Sequence, residues 1–219
     1  MRIRGAIFDV DGTLLDSMSI WDTIGESYLR SIGYEPRENL NEVFKNMSLH
    51  QAACYYQNEY GVTLSTDEIM SGVNAMLEQF YRYEAPLKPG IKELLALLWQ
   101  KNVKMCIATA TDRYLVEAAL GRCGVLSCFD GIFTCNEVGH GKDEPHIFEA
   151  ALRSLGTKMT ETIVFDDALY AIRTAKGAGF PVAAVYDSHE GAQDEVHALA
   201  DVYLDDLTQL NKLRKFLPA

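Results

Sequence analysis

Asp9-Val10-Asp11-Gly12-Thr13 ends an apolar run, Ile3 to Phe8, with two carboxylates, a glycine and a hydroxyl. Residues two apart in an extended chain share a face, so Asp9 and Asp11 can address one small volume where the strand ends. Gly12 then permits a sharp turn. Neighbouring carboxylates repel unless a cation or a shared proton offsets their charge, so the pair points to a bound metal, a raised pKa, or both. Asp and Gly also open ordinary turns. The chemical reading therefore depends on complementary groups arriving from elsewhere in the chain.

The elements that would deliver them are legible. After Asp16, Ile20, Trp21, Ile24, Tyr28, Leu29 and Ile32 recur at helical spacing up to Gly33. Leu40, Val43, Phe44 and Met47 mark a second helix, a third runs from a cap at Ser48 to Gly61, and a fourth opens at Thr66 and ends near Tyr83. Residues 17–86 thus carry no strand signal and form an all-helical inserted domain, leaving 1–16 and 87–219 as one core. From Gly90 onward the pattern alternates. Strands are expected at 103–108, 132–133, 162–165, 182–186 and 202–204, with helices between them, which describes an α/β parallel sheet covered on both faces. Such sheets bind ligands beyond the carboxyl ends of their strands.

At those ends stand Asp9 and Asp11, then Thr109, then Asp166 and Asp167, while Lys142 lies in Gly139-His140-Gly141-Lys142-Asp143-Glu144-Pro145, just before a helix. Several carboxylates, a lysine and a hydroxyl at one mouth suit phosphoryl transfer. Carboxylates hold Mg²⁺, and the lysine and hydroxyl hold phosphate oxygens. One carboxylate remains to act as nucleophile, and another, two residues on, to move the proton of the leaving oxygen and of water.

Over nearly its whole length the chain resembles the haloacid dehalogenase superfamily, in the subfamily with a small helical cap inserted after the first motif. The motifs are Asp9-Val10-Asp11-Gly12-Thr13, Thr109, Lys142, and Phe165-Asp166-Asp167. The resemblance implies a Rossmann-like core in which Asp9 is phosphorylated, Asp11 is the general acid and base, and Thr109 and Lys142 bind phosphate. It also implies Mg²⁺ on Asp9, the backbone carbonyl of Asp11 and Asp167, with Asp166 a direct ligand or one acting through water. Two departures stand out: Asp166-Asp167-Ala168 replaces the common Glu-Asp-Ser, and Lys142 is followed by Asp143 rather than proline. An acid at Asp11 is unlike the dehalogenases and phosphonate hydrolases of the superfamily and suits a phosphate ester. Sugar phosphomutases resemble the chain through Lys45 to Ser48, but where they carry an arginine and a histidine this chain has Leu49 and Trp21. The expected activity is therefore a phosphatase acting on a small phosphorylated metabolite, ahead of a β-phosphoglucomutase-type mutase or a module that only binds a phospholigand.

Composition excludes other classes. A net charge of −11 argues against binding a nucleic-acid backbone, and no apolar run is long enough for a bilayer. The strand begins at once after Met1-Arg2-Ile3-Arg4, so no removable leader is expected, and five cysteines without metal-type spacing suit a reduced cytoplasmic protein. A monomer is expected. Seven tyrosines and Trp21 fall in the inserted block and are assigned to its core. Lys45 and His50, near a turn of that block, and Ala110, beside Thr109, are the candidate substrate contacts. His140 and His146 lack a cysteine or third histidine nearby and are taken as exposed loop residues. Asp16 and Ser17 are taken as caps of the first inserted helix, and Asp187 as a helix or turn cap.

Overall fold

The computed structural model describes residues 2–44, 47, 49–208 and 210–217. The chain divides into two compact units, Met1–Ser17 with Ala85–Ala219, and Met18–Glu84. In order, β1 (Gly5–Phe8) is followed by α1 (Ser19–Ser31), α2 (Leu40–Phe44), α3 (Leu49–Tyr60) and α4 (Thr66–Tyr83). Next come α5 (Ile91–Gln100), β2 (Lys104–Thr109), α6 (Arg113–Arg122), β3 (Gly131–Thr134), α7 (Cys135–Val138) and α8 (His146–Leu155). The chain closes with β4 (Thr162–Asp166), α9 (Leu169–Ala178), β5 (Val182–Val185), α10 (Gln193–Leu199), β6 (Val202–Leu204) and α11 (Asn211–Arg214).

All six strands pair in parallel in the order β3-β2-β1-β4-β5-β6. Strand order reverses at β1, which makes its carboxyl end a topological switch point, the place where sheets of this kind open a crevice. Every residue of β1 is buried, as expected of a central strand with both faces covered. On one face Ile7, Cys106, Val164 and Val182 pack with Ile147, Phe148 and Leu155 of α8 and with Ile172 and Ala175 of α9. Phe8 and Phe165 are register partners, and their rings stack with centroids 4.3 Å apart. The next residues, Asp9 and Asp166, therefore end neighbouring strands side by side.

Within the same unit, Leu14–Asp16 runs antiparallel to Pro86–Lys88. Leu15 bridges Leu87, the Asp16 amide donates to the Pro86 carbonyl at 2.9 Å, and the Lys88 amide donates to the Leu14 carbonyl at 2.9 Å.

The helical unit has its own core of Ile24, Tyr28, Leu29, Leu40, Ala53, Tyr56, Val62, Ile69, Val73 and Leu77. A reciprocal capping box of Ser65 and Glu68 starts α4. The cap expected at Ser48 lies outside the described residues. Tyr28, Tyr56 and Tyr81 are buried, and Tyr34, Tyr55 and Tyr60 pack around the cluster, so most of the aromatic content is structural. Trp21 and Tyr83 depart from the expectation and are exposed. Trp21 lies in the first turn of α1, ahead of Ile24, where that helix's buried residues begin. Two short helices, α7 and α11, have no sequence periodicity to announce them, because four residues barely exceed one turn. No helix of the described residues is long and apolar enough to cross a membrane.

Candidate active site

Asp9 follows β1 directly, and its amide donates to the Phe165 carbonyl at 2.9 Å, which ties it to the end of β4. Asp166 ends β4 and Asp167 follows it; all three carboxylates are buried. Each offers an oxygen within 4.8 Å of the others. Lys142 enters from the segment between α7 and α8, and its ammonium donates to Asp9 Oδ1 and to Asp166 Oδ2, the latter at 2.9 Å. Pro145 directly precedes α8.

Three buried carboxylates beside one lysine leave unbalanced negative charge. Burial, reinforced by Asp166, Asp167 and Asp11, holds the Asp9 carboxyl well above the ordinary range although Lys142 pulls the other way. Burial and then Asp166 push Asp167 up to about 7, against the hydrogen bond that Thr13 Oγ1 donates to Asp167 Oδ1 at 2.8 Å. Burial alone would discharge Lys142, but Asp166 and Asp9 outweigh it and keep the ammonium charged. The cluster is therefore short of positive charge, and its donors are all hard oxygens; a small divalent cation fits both facts.

Asp11 is held differently. Ser17 Oγ donates to its Oδ1 at 2.6 Å and Thr111 Oγ1 to its Oδ2 at 2.5 Å. Ser17 thus does not cap α1, whose N-cap is Met18 with no side-chain bond. Thr109, buried at the end of β2, accepts the Thr111 amide at 3.1 Å, so one short loop presents both hydroxyls. Gly12 sits in the left-handed region at φ 78°, and a Cβ there would come within 2.7 Å of Asp167 Cγ. Gly12→Ala is accordingly expected to combine backbone strain with a push on Asp167, costing about 1–3 kcal/mol and most of the activity. Urea denaturation together with a turnover assay would check it, and wild-type values in both would contradict the crowding argument.

The model of the haloacid dehalogenase-like hydrolases matches residues 6–185, which includes every one of these site residues. The chain belongs to that family. Hexitol phosphatase B of Escherichia coli K12 is 25% identical over 212 residues, 95% of each chain. Validoxylamine A 7'-phosphate phosphatase of Streptomyces hygroscopicus subsp. limoneus is 29% identical over 205 residues, 94% of each. Among solved structures, a Thermotoga maritima protein provisionally assigned as β-phosphoglucomutase superposes with a TM-score of 0.87 at 22% identity, covering 98% of this chain and 100% of its own. At that identity the superposition speaks to the fold.

In this hydrolase, then, Asp9, Asp166, Asp167 and Lys142 form one hydrogen-bonded or closely packed cluster, with Asp11 beside it on its own pair of hydroxyls. Ala110 follows Thr109 and is exposed. His50 is exposed on α3 and lies 3.8 Å from Cys54 Sγ; Lys45 lies outside the described residues. Thr13, Ser17 and Thr111 complete the site; the first motif includes Thr13, whereas nothing in the sequence separates Ser17 and Thr111 from ordinary cap and turn residues. Asp187 does cap a turn, accepting the His189 amide at 2.9 Å, and is also ion-paired to Lys88 at 2.7 Å.

Proposed function

We propose that this hydrolase is a Mg²⁺-dependent phosphatase of small phosphate monoesters, working through an aspartyl-phosphate on Asp9. The observation that carries the proposal is the contrast between two carboxylates two residues apart. Asp9 is buried against Lys142 and two more aspartates, while Asp11 is held apart by Ser17 and Thr111. Two acids in different environments suit two roles, nucleophile and proton carrier.

Asp9, Asp166 and Asp167, with the Asp11 backbone carbonyl, would hold the metal, which when bound supplies the positive charge that keeps Asp9 ionised and neutralises phosphate oxygens. In the first half-reaction an Asp9 oxygen bonds to phosphorus, the ester bond breaks, and protonated Asp11 gives its proton to the departing alkoxide. In the second, Asp11 takes a proton from water as that water attacks phosphorus, which releases phosphate and regenerates the Asp9 carboxylate. Lys142 and Thr109 bind the phosphate oxygens on which charge develops. Ser17 and Thr111 keep the Asp11 carboxyl aimed by fixing both of its oxygens. Lys45, His50 and Ala110 are the proposed substrate contacts. Hydrolysis is preferred over mutase chemistry because Leu49 and Trp21 cannot grip a second phosphate. The free thiols accord with a cytoplasmic setting.

Phosphorylated polyols and sugars head the substrate panel because relatives are named for hexitol and validoxylamine phosphates. The test is phosphate release from that panel with Mg²⁺ or with a chelator. Metal-dependent release from some of the esters is expected; release from none, or release unaffected by the chelator, would overturn the reading.

The charge imbalance has a thermal consequence. An Asp167 carboxyl raised from 3.8 to about 7 adds stability that is complete below its unfolded pKa and is lost as pH rises through its folded one. Asp9 is shifted in the same direction. Without divalent ions the cluster should therefore weaken the fold progressively from about pH 4 to about pH 8. Mg²⁺ relieves the ionised form, so its increment in melting temperature should be larger at pH 8 than at pH 5.5. Equal increments, measured by differential scanning fluorimetry, would show that the cluster is not the binding site.

A further inference from the structure

A second group of ligands lies outside the aspartate cluster, on the segment that carries Lys142. His140 Nδ1 and His146 Nε2 both approach one oxygen of Glu144, at 2.9 Å and 3.1 Å. The two ring centroids are 4.2 Å apart, and the three ligand atoms all lie within 4.8 Å of one another. Bonds of 2.0–2.2 Å to a tetrahedral ion place ligand atoms about 3.3–3.5 Å apart. The three side chains therefore need only small rotations to meet a common centre, with a fourth position left for water. All three are roughly half exposed, so an ion from solvent can reach them.

We propose that His140, Glu144 and His146 form a site for a borderline-soft divalent ion of the Zn²⁺ class, and that the ion braces the Lys142 segment. Two imidazoles and a carboxylate select against Mg²⁺, which prefers all-oxygen shells, so Mg²⁺ would not fill this site. Ligation would go through the neutral imidazoles, His140 keeping its proton on Nε2 and His146 on Nδ1. Lys142 is anchored through its side chain, and the backbone that carries it has few ties of its own. Gly139 at φ 80° and Gly141 flank His140, and within 141–144 the described backbone hydrogen bonds include only a 3.3 Å turn bond from the Glu144 amide to the Gly141 carbonyl. An ion joining residues 140, 144 and 146 would span Lys142 on both sides and tie it to the start of α8.

The test compares the full chain with the H140A/H146A double variant. Because the replaced side chains are exposed, folding should be unaffected. Calorimetric titration with Zn²⁺ in excess Mg²⁺ should show one more bound Zn²⁺ in the wild type than in the double variant, with E144A losing most of that binding. Amide exchange across residues 139–146 should slow on Zn²⁺ addition in the wild type alone. Identical isotherms for wild type and double variant would overturn the site. Extra binding without protection of the segment would overturn the bracing role.

Discussion

Asp9→Asn is expected to abolish phosphate release, by about 10³-fold or more, while leaving the fold as stable as before or slightly more so. The two halves of that expectation have different origins. The amide cannot attack phosphorus, so the covalent route closes. It also removes one of three buried negative charges, and Lys142 keeps Asp166 as a partner at 2.9 Å. Phosphate release and a melting curve on the same preparation would check both. A variant that lost activity only because it had unfolded would leave the nucleophile unassigned, and one that still turned over would place the nucleophile elsewhere.

Lys142→Met should be costly in a different way. The methionine fills similar volume but leaves Asp9 and Asp166 buried without the ammonium they share. Breaking a buried ion pair by removing one partner costs about 3–5 kcal/mol, because the remaining charge is uncompensated. Here the carboxylates can escape part of that cost by taking up protons. The folded-state pKa of Asp9, already raised, would rise further, so stability would be retained in acid and lost as pH increases. Urea denaturation should show a larger deficit at pH 8 than at pH 5, and phosphate release should fall as both KM rises and kcat drops. A deficit independent of pH would mean that Lys142 supports the site through packing and not through charge.

The part of this arrangement that could be read in advance is the part written as strand endings. Asp9, Asp166 and Asp167 each follow an apolar run, and a covered parallel sheet must bring such endings to one edge. Lys142 was harder. Its segment has no periodicity, and the resemblance to a known family, more than any spacing, marked it. The partners of Asp11 could not be read, because serine and threonine near a strand end cap helices and turns as readily as they bind a carboxylate. Ser17 reads as a helix cap for that reason, and Thr111 reaches Asp11 across 100 residues of sequence. Trp21 shows another limit: helical spacing identifies a face but not how far along the helix neighbours cover it. The role of Glu144 between His140 and His146 likewise depends on how a short turn folds, and a search for a third histidine or a cysteine passes over it.

The ladder between Leu14–Asp16 and Pro86–Lys88 bears on how such a protein could diversify. Since Asp16 and Pro86 are a hydrogen bond apart, sixty-odd intervening residues enter and leave through a gap no wider than that between paired strands. To the sheet, the insertion is a loop closed at its neck, and its length scarcely affects the entropy of joining β1 to the remainder of the core. Selection could thus lengthen, shrink or replace the helices while Asp9, Asp11 and the Ser17 hydroxyl stay in place. The helical insertion and the chemical machinery would then be inherited as separable cassettes, one exchangeable at a neck three residues wide on each side and the other fixed.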